Sequence, residues 1–183
     1  MPFARRAWAC DFLQTYDLLF RPIFAFFVVA LGSRRVVPVG VTRSPASAWV
    51  AQLFREATPG GDGPRFLIRD NDDKFGRDFD TVAAGTGIIE VLRTPIRAPN
   101  ANAVCERFRR SVRAECLDHV LILGEDHLAC ILRRYCAYFN DARPHQGLGQ
   151  QVPNGPPASP NAAGVVVELP ILGGLHHQYR RAA

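Results

Sequence analysis

Lysine is almost missing from this 183-residue chain: Lys74 stands alone against 21 arginines. With so much alanine, glycine and proline, the imbalance reads as the coding bias of a GC-rich genome. Cysteines are few and odd in number, at 10, 105, 116, 130 and 136, with no Cys-x-x-Cys. That excludes a secreted disulfide framework and fits a reducing cytosol. Cys116-x2-His119 and His127-x2-Cys130 have zinc-like spacing, but the Val120 to Leu123 run between them lacks knuckle glycines. The zinc reading is set aside, and the cysteines are assigned to apolar helix faces. A long hydrophobic run is also lacking. Pro22 to Gly32 is strongly apolar, yet a membrane span needs about 20 such residues. Asp11, Asp17 and Arg21 interrupt any extension and argue against a signal peptide. No internal repeat is visible.

What is present is ordinary globular stock, 48% hydrophobic and 21% charged, which excludes wholesale disorder. The net charge of +5 permits a polyanionic partner without requiring one. Residues 7–13 read as a buried central strand, 23–31 as a second and 36–41 as a third. Pro38 places the third at a sheet edge. Ser44 and Pro45 have the chemistry of a helix cap and first position, with Trp49, Val50, Leu53 and Phe54 on one apolar face. Phe66 to Ile68 is a short strand that ends at Asp70-Asn71-Asp72-Asp73. A short helix around Phe75, Phe79 and Val82 and a strand at 88–92 follow. Residues 102–116 and 125–140 are amphipathic helices. After Pro144 the chain is Pro/Gly-rich to about Gly164, with a peripheral strand at 165–172. The sum is an α/β domain with a mixed sheet.

Three acids stand out by placement. Asp11 lies inside an apolar strand, where a carboxylate is costly unless compensated. A divalent metal is one compensation; otherwise Asp11 pairs with an arginine or marks an edge strand. Asp70 ends the fourth strand. Glu106 shares a helix face with Arg109, Arg110 and Arg113, at i, i+3, i+4 and i+7. From Arg97 to Arg113 five arginines and one acid give a local charge of +4. This is either a phosphate-binding face or a solvated face with a Glu106–Arg110 pair.

Thirty-five residues separate Asp70 from Glu106. This spacing resembles the D…D-35-E signature of the retroviral-integrase-type (DDE) transposases of bacterial insertion sequences. Further motifs resemble the family in order: Trp8-Ala9-Cys10-Asp11, Ser33-Arg34, Arg69-Asp70-Asn71 with Phe75, Pro99-x-x-Asn102-x-x-x-Glu106-Arg107-Phe108, and Tyr138-Phe139-Asn140-x-x-Arg143-Pro144-His145-x-x-Leu148. Asp72 stands where the family commonly has glycine.

The resemblance implies a ribonuclease H-like fold, a five-stranded mixed sheet flanked by helices. It implies a catalytic core over 1–148 and a tail over 149–183. Asp11, Asp70 and Glu106 would be the catalytic acids and the ligands of two Mg2+ or Mn2+ ions. Such ions promote DNA cleavage by water and strand transfer by the freed 3′-hydroxyl. Arg97, Asn102, Arg109, Arg110 and Arg113 would contact DNA. Arg143 and His145 would either contact DNA or fix the last helix. Implied partners are DNA, further copies in a synaptic complex, and a separate helix-turn-helix subunit, since nothing before Trp8 supplies that region. No membrane role is implied, and the expected location is the bacterial cytoplasm at the nucleoid. Two other readings stand beside this one: a ribonuclease H-like nuclease without strand transfer, and a truncated remnant that binds DNA without catalysis.

Overall fold

Alternation along one strand sets the architecture. In β1 (Ala7–Tyr16), Ala9 and Leu13 join one apolar cluster, while Cys10 and Phe12 join another. A strand buried on both faces belongs in the middle of a sheet. The computed structural model places it there and describes residues 4–58, 63–76, 79–85, 87–88, 90–94, 102–155 and 164–182. β2 (Pro22–Ala30) and β3 (Val36–Thr42) complete an antiparallel meander with β1. β4 (Phe66–Arg69) and β5 (Glu90–Arg93) add in parallel on the other side. The order is β3-β2-β1-β4-β5, a mixed five-stranded sheet with β3 at an edge. The β2–β3 register shifts at the Pro38–Val39 step, where proline has no N–H to donate.

Helices cover both faces. α1 (Ser47–Ala57) and α2 (Phe79–Gly85) bury Val50, Phe54, Phe79 and Ala83 against Phe12, Phe26 and Leu67. α3 (Ala103–Glu115) and α4 (Glu125–Asp141) bury Cys105, Phe108, Val112, Leu128, Leu132 and Tyr135 against Leu13, Ala25 and Phe27. Asp11 shares its parity with Ala9 and Leu13, so its side chain leaves the sheet toward α3. Among the described residues no helix is long and apolar enough to cross a membrane.

Three elements differ from expectation. α1 starts at Ser47 with Ala46 as its cap residue, and no side chain caps it. Tertiary bonds explain the delay: the Arg43 N–H donates to Glu125 Oε1 and Arg43 Nη2 to Asp17 Oδ2, which holds the chain short of a helix. The fifth strand begins at Glu90. In the tail, β6 (Val166–Ile171) pairs with β7 (His176–Arg181), a strand too polar and exposed to be read from hydropathy. The hairpin docks on α4, where His176 stacks on Tyr138 with ring centroids 4.6 Å apart.

Candidate active site

The site originates in a mismatch of strand lengths. β4 pairs only with Ala7, Trp8 and Ala9 of β1, which itself runs on to Tyr16. Continuing that register by two residues sets Asp70 beside Asp11. β4 stops there because the Asp-Asn-Asp-Asp run has low strand propensity and turns back on itself. The Asp72 N–H donates to Asp70 Oδ1 at 3.1 Å. Beyond this point the β4 side of β1 has no neighbouring strand among the described residues.

Side chains serve the freed backbone instead. The Ala7 carbonyl accepts from Leu31 N–H on the β2 side, so even-numbered residues of β1 face the β4 side. Asn102 Nδ2 donates to the Cys10 carbonyl at 3.3 Å, and Arg113 Nη2 donates to the Gln14 carbonyl at 2.6 Å. The Phe12 N–H donates to Asp11 Oδ1 at 2.7 Å. α3 is thus fastened along the open edge of β1.

The opening is a cleft of about 400 Å³ lined by Asp11, Asp70, Asp72, Lys74, Arg109 and Arg113, with Gln14 and Tyr16 farther along β1. Asp11 is 5% exposed. Burial, with a smaller contribution from the nearby Asp70 charge, pushes its carboxyl up to about 6, against the opposing pull of the Phe12 N–H and Arg109. Burial likewise raises Asp70, and the charge of Asp72 adds to it. Two carboxylates that resist ionisation in one cleft are hard oxygen donors in need of a cation.

Glu106 does not join them. Its Oε1 accepts from Arg109 Nη1 at 3.0 Å, and the same nitrogen lies 3.4 Å from Asp11 Oδ2. The i,i+3 partner Arg109 takes the place expected of Arg110, which is exposed. Among the described residues no three His, Cys, Asp or Glu side chains form a group able to hold a metal ion. The donor chemistry nonetheless suits Mg2+ or Mn2+: two oxygen-ligand acids share the cleft, and a guanidinium occupies the cationic position between Asp11 and Glu106. Asn102 Oδ1 and Arg109 Nε are buried there without a hydrogen-bond partner among the described residues. The thiols beside the site, Cys10 and Cys105, are pushed well above their usual range by burial and are not thiolate nucleophiles.

The other expected contacts fall elsewhere. Arg97 lies outside the described residues. Arg143 pairs with Glu115 through Nε at 2.7 Å and Nη2 at 2.5 Å, and Tyr135 Oη donates to the same carboxylate at 2.8 Å. Burial opposes the ionisation of Glu115, but these bonds outweigh it and hold the group below its ordinary range. His145 is buried, shares its Nε2 with the Phe139 carbonyl at 3.0 Å and packs edge-on to the Phe139 ring. Burial lowers its pKa, against the opposing pull of the Phe139 carbonyl. These contacts tie both residues to α3 and α4. The zinc-like quartet does not assemble: His119 Nε2 meets the Ala114 carbonyl, and His127 Nδ1 accepts the Leu123 N–H.

Two residues of the site were not singled out by sequence reasoning. Lys74 Nζ pairs with Asp72 at 2.7 Å and lies over the rings of Phe12 and Phe24, 5.6 and 5.2 Å from their centroids. Its signal was in plain view, since the sole lysine of an arginine-biased chain stands in the acidic cleft. Arg69, 4% exposed, binds Asp80 at 2.8 Å and donates to the Asp70 carbonyl at 2.9 Å, while Arg93 also holds Asp80. It anchors the backbone of the second acid.

Comparison with known proteins agrees with this architecture. Residues 88–153 match the family model of the integrase core domain, a stretch that contains Glu106 but neither Asp11 nor Asp70. No curated protein sequence matches the chain. Among solved structures, the simian T-cell lymphotropic virus intasome, in complex with PP2A regulatory subunit B56 gamma, aligns with a TM-score of 0.64 at 13% identity. The alignment covers 97% of this chain and 67% of that one. The HTLV-2 integrase catalytic core domain in complex with magnesium aligns at 0.56 and 15% identity, covering 80% and 92% of the two chains. The BIV integrase catalytic core domain aligns at 0.56 and 17%, covering 82% and 91%. The fold is ribonuclease H-like, as in these integrase catalytic cores, and residues 88–153 carry the match to the integrase core domain.

Proposed function

We propose that this integrase-type core cleaves and joins DNA strands with the help of Mg2+ or Mn2+. One observation carries the reading: the parallel register of β1 and β4 sets Asp11 and Asp70 in one cleft, beside cationic side chains of α3. Asp11 and Asp70 would hold the ions, with Glu106 completing the set. Divalent ions, when bound, lower the pKa of water and offset charge on the phosphoryl oxygens. The magnesium in the HTLV-2 structure supports the use of a divalent ion.

The chain's own residues do the rest. Arg113 bonds to the Gln14 carbonyl at the mouth of the cleft, where its charge meets an entering phosphate. Arg110 is exposed on the flank of α3. Arg109 holds Glu106 against Asp11, and its release onto a phosphate frees both carboxylates for metal. Asn102 fixes α3 to β1, and its oxygen has no partner among the described residues. Arg97, before α3 in the chain, would extend the basic surface. Partners in this reading are DNA, further copies of the chain and a separate helix-turn-helix subunit. The intasome among the structural neighbours supports an assembly on DNA.

A second reading is a chain that binds DNA without cutting it. It is favoured by the engagement of Glu106 with Arg109 rather than with Asp11 and Asp70. Incubation with end-labelled duplex DNA taken from either side of the gene, in Mg2+ or Mn2+, separates the two. The first reading expects metal-dependent nicking and joining that fall at least about a hundredfold in Asp70→Asn. Binding without nicking, unchanged by Asp70→Asn, selects the second.

A further inference from the structure

A second cavity, of about 590 Å³, lies on the other flank of α3. Three distant parts of the chain wall it: Arg34 from the β2–β3 turn, Arg107 and Ser111 from α3, and Arg143, Gln146 and Gln150 after α4. No carboxylate lines it among the described residues. Arg143 is neutralised by Glu115. Arg34 and Arg107 form no ion pair among the described residues, and they are close enough that burial and the charge of Arg107 together lower the pKa of Arg34. The turn that carries Arg34 is fixed by its N–H to the Ala30 carbonyl at 2.8 Å and by the Ala30 N–H to the Arg35 carbonyl, with Arg34 at φ 65°. Two like charges held at one cavity, one in a backbone conformation rare for a non-glycine residue, match an anion.

The helix identifies the anion's source. Arg113, Arg110 and Arg107 stand at intervals of three along α3, a row that spans roughly 9 Å of helix axis and winds around it. Arg113 lines the acidic cleft and Arg107 lines the cavity. The row joins the two sites as a nucleic-acid backbone would. We propose that the cavity walled by Arg34 and Arg107 binds a backbone phosphate of the DNA strand that enters the acidic cleft. This rests on the reading of the chain as a DNA-binding core, and it is independent of whether the chain cuts.

The test is duplex binding by the full chain, titrated across salt concentrations. The double variant Arg34→Gln/Arg107→Gln is expected to make the slope of log K against log salt shallower by about 1 for each phosphate no longer neutralised. Arg34→Lys/Arg107→Lys is expected to restore it, which a folding defect would not do. The slope is read without metal and strand cleavage is assayed separately with Mn2+, so failure of catalysis and failure of the phosphate site read out separately. An unchanged slope in the folded glutamine variant overturns the proposal. So does binding of inorganic phosphate that depends on Arg34 and Arg107 while the DNA slope does not, because the cavity would then serve a free phosphate. Absence of any DNA binding overturns it as well.

Discussion

Arg109 on α3 points its Nη1 at Asp11 on β1, 3.4 Å from Oδ2, and grips Glu106 with the same nitrogen. One guanidinium therefore stands in for a cation between two of the three acids. Its Nε is buried and has no hydrogen-bond partner among the described residues.

Arg109→Gln is expected to free both carboxylates and remove a positive charge from the cation's neighbourhood. Mn2+ affinity of the full chain should rise about tenfold, read by titration calorimetry. An unchanged or weaker affinity would show that Arg109 does not compete with the metal.

Asp11 should make the fold less stable as pH rises. Its folded pKa is raised from 3.8 to about 6, so the native state holds the proton more tightly than the unfolded chain. The resulting stability is complete below pH 3.8 and is lost as pH climbs through about 6. Asp11→Asn is expected to exceed the parent by on the order of 3 kcal/mol at about pH 7.5 without metal. The gap should narrow toward about pH 4. Urea melts at both pH values check the sign, and Mn2+ should narrow the gap at the higher one.

Arg69→Met removes a buried guanidinium from Asp80, from the Asp70 carbonyl and from the face of Phe75, 5.0 Å from its ring centroid. Asp80 keeps Arg93, so the cost should be about 3 kcal/mol rather than complete unfolding. Mn2+ affinity should also fall about tenfold, because the carbonyl that anchors Asp70 is released. Chemical denaturation and calorimetry on the same variant test both.

Tyr135→Phe deletes a charge-assisted bond to Glu115 and should cost about 2 kcal/mol, seen as a lower urea midpoint at constant m-value. Arg143→Met should cost more while changing the salt dependence of duplex binding little, since Glu115 already cancels its charge. A large change in that slope would return Arg143 to the DNA-contacting set.

Much of the scaffold was legible in the chain itself. Burial on both faces of residues 7–13 makes a central strand, Pro38 marks an edge, and the stripes of α3 and α4 mark the helices that cover one face. The acid spacing and motifs pointed to the fold that the structure and its neighbours share. Short-range signals failed where long-range bonds intervened. Ser44 has the chemistry of a helix cap, but Arg43 is held by Asp17 and Glu125, 26 and 82 residues away. β7 escaped because a polar, exposed strand carries no hydrophobic period.

Charge placement was decided in three dimensions. The sequence determined that Asp11 needed compensation, and left a metal, an arginine or an edge position as its alternatives; the central place of β1 removes the last. Tertiary structure set Arg109 between Asp11 and Glu106 and, by strand register, Asp70 beside Asp11. It also gathered Arg34, Arg107 and Arg143 around one cavity. The physical reason is common to all of these. Periodicity reports which side of an element is buried, whereas an electrostatic partner depends on distances between elements that no local pattern encodes.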